Sequence, residues 1–168
     1  DINISGGEPF LRMDLPEIVA AIKTAAPKAR LVLNTNGYLP RVIEKQILKI
    51  LKIDPNFAVR VSLDGWEKIH DEIRRIPNGF KMIMESLEIL DRAGVKDLGV
   101  SFTILKKNIA DLPKIFDFCR QRRLELSLTM VTSSNIYFGE GKERLRPDNH
   151  GEVSKYLNSS YFISAKDA

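Results

Sequence analysis

The chain has 168 residues, 43% of them apolar and 29% charged, with a net charge of +4. That is enough chain for a real core, and it excludes a low-complexity or disordered polymer. No run approaches the roughly 20 apolar residues of a membrane span, and a single cysteine, Cys119, excludes an internal disulfide or a multi-cysteine metal site within this sequence.

Five β-type runs are predicted: Asp1–Ile4, Arg30–Asn34, Ala58–Leu63, Leu98–Ile104 and Glu125–Val131. Amphipathic helical patterns fill the gaps. Asp14 and Glu17 give a start signal, Pro16 fits a first turn, and Leu15, Ile18, Val19 and Ile22 form one stripe that stops before Pro27. Pro40 opens a second helix carrying Val42, Ile43, Ile47, Leu48 and Leu51. A loop is expected around His70–Pro77, with His70 read as a cap or surface-packing residue in preference to a catalytic one. A third helix follows from about Asn78, with Ile83, Leu87 and Leu90 inward and Gly94 as its stop. Asp111 caps a fourth helix, whose apolar side uses Ile115, Phe116, Phe118 and Cys119. Residues 132–149 read as loop, with one short helix from about Gly151 to Tyr156.

Strands alternating with helices predict a parallel sheet. Five units are too few for a closed eight-stranded barrel, which leaves an open α/β sheet or the arc of a larger barrel. The strands alternate more than doubly covered parallel strands do. Val59, Val61 and Leu63 oppose Arg60, Ser62 and Asp64; Val100, Phe102 and Ile104 oppose Gly99, Ser101 and Thr103; Leu126, Leu128 and Met130 oppose Glu125, Ser127 and Thr129. Asn3 and Ser5 likewise oppose Ile2 and Ile4. One face is therefore expected to carry helices, and the other to line a polar hollow or to meet water. The strand ends are polar too: Ser5-Gly6-Gly7-Glu8, Asn34-Thr35-Asn36-Gly37, Ser62-Leu63-Asp64-Gly65 and Thr132-Ser133-Ser134-Asn135. In parallel α/β folds such ends gather on one ligand-binding rim.

The segment Ile4-Ser5-Gly6-Gly7-Glu8-Pro9-Phe10-Leu11-Arg12 resembles the GGEP motif of the radical S-adenosylmethionine (SAM) enzymes. Leu33-Asn34-Thr35-Asn36-Gly37 is similar to the T-N-G that ends the following strand in many members. Val61-Ser62-Leu63-Asp64-Gly65, then His70-Asp71-Glu72-Ile73-Arg74 and Gly79-Phe80, resembles a run in members tied to molybdenum-cofactor synthesis and peptide maturation. The resemblance covers residues 1–131, taken as a barrel core, and leaves 132–168 as an irregular C-terminal segment.

The resemblance implies an arc of a partial (β/α)6 TIM-like barrel lacking its first strand, with SAM held beside a 4Fe–4S cluster that cleaves it to a 5′-deoxyadenosyl radical. By position, Gly6, Gly7 and Glu8 would receive the amino group of SAM's methionine moiety, through backbone carbonyls and the Glu8 carboxylate, with Pro9 and Asn36 as further SAM-binding candidates. Ser62, Asp64 and Arg74 would lie near ribose and carboxylate, and Thr103 and Val131 would flank the adenosine. It also implies a small-molecule or peptide substrate and an electron donor such as flavodoxin or ferredoxin; the single cysteine fits a reducing, cytoplasmic setting. The C-x-x-x-C-x-x-C cluster motif precedes GGEP in the family and is absent from this sequence. The expectation is therefore a fragment with no metal or catalytic residues of its own, inactive and without bound cofactor when alone. Two other readings stand beside it: a non-catalytic module binding a ligand or a protein, and a barrel enzyme whose Gly6-Gly7 turn cradles a substrate phosphate, although Glu8 would repel that anion. Nucleic acid is not an expected partner, because no aromatic residues interleave with the basic runs Arg120–Arg123 and Lys142–Arg146.

Overall fold

A computed structural model describes residues 1–130. The predicted segment 132–168, the short helix at 151–156 and the site candidate Val131 lie outside the described residues.

The five strands are β1 (Ile2–Ile4), β2 (Leu31–Thr35), β3 (Ala58–Ser62), β4 (Asp97–Ile104) and β5 (Glu125–Met130). All neighbours pair in parallel, in the spatial order β1-β2-β3-β4-β5. Because each new strand adds beside the last, with no reversal of order, the sheet winds in one direction. That is an arc of a barrel and not a doubly wound sheet, whose order reverses at a switch point. The helices are α1 (Leu15–Ala25), α2 (Pro40–Ile53), α3 (Lys68–Arg74), α4 (Gly79–Arg92) and α5 (Leu112–Gln121).

The register places Leu33, Val59 and Leu98 in one row and Val61, Val100 and Leu126 in the next. Leu33, Val59, Val61, Val100 and Phe102 on this face are wholly buried, packed with Ile43, Ile47 and Ile50 of α2, Ile83 and Leu90 of α4, and Leu112 and Ile115 of α5. Burying each such side chain stabilises the fold by roughly 1.5–3 kcal/mol relative to leaving it in water. The opposite face has the other half of the alternation, and there the half-buried Ser62, Ser101 and Ser127 form a row across three strands.

Three expectations need correction. Residues 68–74 form a helix, α3, where a loop was expected, and His70 inside it is fully buried instead of capping or lying at the surface. On α2, Leu48 is half exposed, and the polar Gln46 takes its place inward because positions 43, 46, 47 and 50 share the helix's inner side. Asp14 and Asp111 precede α1 and α5, but neither side chain caps: Asp14 pairs with Arg12, and Asp111 accepts the Trp66 amide at 2.8 Å.

Candidate functional site at the strand exits

Glycines open the space at the end of β1. A Cβ added to Gly6 or Gly7 would meet nothing within 4 Å, so this stretch of backbone is bare on the rim. Gly6 has φ +153°, a conformation that side chains rarely adopt. The next residue is tied down firmly. Glu8 accepts from Phe10 N at 3.1 Å, from the Thr35 hydroxyl at 2.9 and 3.0 Å, and from Asn36 N at 2.8 Å. Pro9 then begins a short 3-10 turn, Pro9–Leu11, whose buried Phe10 carbonyl accepts from Gln46 Nε2 at 2.9 Å. Asn36 forms an Asx turn, its Oδ1 accepting from Tyr38 N at 3.0 Å. Gly37, at φ +74°, lies against Val61 so closely that a Cβ would approach its Cγ1 to 2.8 Å.

The exits of β3 and β4 are locked differently. Asp64 is 3% exposed. Its Oδ2 accepts from Arg74 Nε at 2.6 Å and pairs with Arg74 Nη2 at 2.6 Å, while Oδ1 accepts from Thr103 N at 2.9 Å. Asn108, wholly buried, donates from Nδ2 to the Asp64 and Thr103 carbonyls and accepts from Leu105 N. His70 Nδ1 accepts from Asp64 N at 3.0 Å, so its Nε2 carries the proton and donates to the Tyr38 hydroxyl 2.8 Å away. Burial lowers the His70 pKa to about 4 and raises that of Tyr38 to about 12, which keeps both neutral near pH 7. Trp66 packs its ring on Phe80 and Phe118 beside this lock.

Inside the arc lies a hollow of about 470 Å³, lined by polar residues such as Asn3, Ser5, Asn34, Ser101, Ser127 and Thr129. Its far end is closed by charge. Arg60, 4% exposed, reaches Asp97 Oδ1 at 2.7 Å and the Glu125 carboxylate, while Arg30 bridges Asp97 and Asp1 at 2.7 and 2.9 Å. Gly99 makes this possible: a Cβ there would come within 3.0 Å of Arg60 Cδ and 2.6 Å of the Glu125 carbonyl. At the rim, by contrast, the hydroxyls of Ser62, Ser101, Thr103 and Thr129 have no partner among the described residues.

Of the sequence candidates, Gly6, Gly7, Glu8, Pro9 and Asn36 therefore gather at the β1 and β2 exits. Ser62 and Thr103 lie on the same polar sheet face as Ser101 and Thr129, although neither lines the hollow itself. Asp64 and Arg74 meet each other. Thr35, Asn108 and Gln46 were not singled out as site residues, and His70, weighed against a catalytic role, is a buried member of the lock. Thr35 had left a signal, because it continues the Leu31-Leu33 alternation onto the apolar face where a hydroxyl needs a partner.

Beside Gly6-Gly7 no protein atom lies within 4 Å of an added Cβ, so the backbone there is open to a ligand. For the cluster, the described residues hold no group of three or more ligating side chains, and Cys119 is buried on α5 with its thiol pushed up to about 12 by burial. These residues do not form a cluster site.

Residues 1–119 match the model of the radical SAM superfamily, and the chain belongs to that family. The family's cofactors are SAM and a 4Fe–4S cluster. Among curated relatives, the Fe-coproporphyrin III synthase of Methanosarcina barkeri is 33% identical, covering 92% of this chain and 36% of the synthase. A probable GTP 3′,8-cyclase of Methanococcus maripaludis is 36% identical over 71% of this chain and 39% of the cyclase. The chain thus spans under two fifths of these relatives. A solved structure of anSMEcpe with bound AdoMet superposes with a TM-score of 0.73 at 19% identity, over 98% of this chain and 44% of that one, a match of fold. No helix among the described residues is long and apolar enough to cross a membrane.

Proposed function

We propose that this chain is the SAM-binding arc of a radical SAM oxidoreductase, with the strand exits as the cofactor's seat. The observation carrying this reading is the open Gly6-Gly7 backbone on a rim whose other polar groups are either fixed or unpartnered. Gly6 and Gly7 would receive the methionine ammonium through backbone carbonyls, while the Ser62 and Thr103 hydroxyls would meet the adenosine. Asp64 and Arg74 would hold the β3 and β4 exits at the spacing the ligand needs. SAM beside a reduced cluster supplies a carbon radical that removes hydrogen from substrate; the residues here bind, orient and exclude competing reactions.

The substrate, a small molecule or peptide, would enter the hollow. Arg30 and Arg60 there are engaged by carboxylates, so anionic groups of a substrate would be met by residues outside 1–130. Flavodoxin or ferredoxin is the proposed electron donor and the cytoplasm the proposed setting. The test is anaerobic reconstitution of the full-length protein and an assay for 5′-deoxyadenosine. Formation of that product supports the reading, and its absence with a fully loaded cluster overturns it in favour of a binding module.

A further inference from the structure

The carboxylate of Glu8 is held by three donors. Oε1 accepts from Phe10 N, Oε2 accepts from Asn36 N, and the single proton of the Thr35 hydroxyl is shared between the two oxygens. Of the roughly four acceptor directions a carboxylate offers, three are therefore committed to the protein's own loops. The partner's orientation is also fixed. Thr35 Oγ1 accepts from Gly37 N at 3.1 Å, and its own proton therefore goes to Glu8. Thr35 is 2% exposed and shares the helix-facing side of β2 with Leu31 and Leu33. A side chain bonded to it is turned away from the hollow. Glu8 thus joins the β1 exit to the β2 exit across 27 residues of sequence, directly behind the bare glycines.

We propose that Glu8 and Thr35 act as a pair of positioning residues, a carboxylate–hydroxyl brace that holds the Gly6-Gly7 backbone in its ligand-receiving conformation without Glu8 itself touching the ligand. This rests on the reading that the rim seats SAM. The brace works by removing freedom from the loop before binding, so its loss appears as weaker binding. Because the two residues act as one unit, their substitutions are coupled.

The experiment uses the full-length, cluster-loaded protein with SAM as the probe, in calorimetry and steady-state kinetics. Wild-type protein that binds no SAM overturns the seat itself, and the brace with it. Given wild-type binding, Thr35→Val and Glu8→Gln should each weaken SAM by about tenfold, the loss expected of one charge-assisted bond. The double variant should be no weaker than either single one. KM for SAM should rise with kcat little changed, and Thr35→Ser, which keeps the hydroxyl, should restore binding. A silent Thr35→Val with a weakened Glu8→Gln, or additive losses, would mean that Glu8 contacts the ligand and would overturn the brace. A second measurement needs no variant: the Asn36 amide should be protected from hydrogen exchange in the SAM-free protein, and exchange at the rate of an open loop would also overturn it.

Discussion

The two ends of the hollow use polar residues in opposite ways. At the far end, Asp1, Arg30, Asp97, Arg60 and Glu125 are all paired with one another. At the rim, Ser62, Ser101, Thr103 and Thr129 share the same face of the same sheet yet have no partner among the described residues. A buried polar group left unbonded is costly, and one near water is not. The paired end therefore serves the fold, and the unpaired end is free to serve a ligand. The Asp64–Asn108–His70 lock belongs with the first group although it sits beside the rim: nearly every atom it offers is already bonded.

Breaking the lock should have the largest effect. Asp64→Ala leaves the Thr103 amide and Arg74 without their acceptor and should cost about 3 kcal/mol of unfolding free energy, measured by urea denaturation. The same lock carries a pH dependence. His70 titrates at about 4 in the folded chain against 6.5 unfolded, so between these values the unfolded state holds the extra proton. Stability should be complete above pH 6.5 and fall by roughly 3 kcal/mol as pH drops toward 4. His70→Gln should flatten that part of the curve. At the charged end, Arg60→Leu leaves Asp97 still paired with Arg30 and Glu125 exposed enough to be hydrated; a loss of about 2 kcal/mol is expected. At the rim, Ser101→Ala and Thr129→Val should each change stability by no more than about 0.5 kcal/mol, while changing affinity for whatever fills the hollow. A large stability loss there would erase the contrast.

The contrast was partly legible in the sequence. Strand positions agree to within one residue because period-2 alternation is strong in β3, β4 and β5. The polar inner face followed from the same pattern. Helix α3 was missed because its seven residues offer less than two turns of periodicity, and its one buried residue, His70, reads as polar. Gln46 was passed over for the same reason: an apolar stripe is sought among apolar residues. Within the site, the glycine doublet is local and visible. The pairing of Asp64 with Arg74 is not, since both residue types suit a ligand as well as each other. The Glu8–Thr35 contact joins the turn after β1 to the last residue of β2, which only the parallel register of the two strands brings together.

The central claim is that the bare backbone at Gly6-Gly7 is where a ligand sits. Gly7 lacks a positive φ, and a side chain there would meet no protein atom within 4 Å, so Gly7→Val should leave the melting temperature of the full-length protein nearly unchanged. Calorimetric titration of SAM into that variant, loaded with its cluster, tests the claim most directly. A loss of tenfold or more in affinity at unchanged stability is the predicted result; wild-type affinity in the valine variant would contradict it.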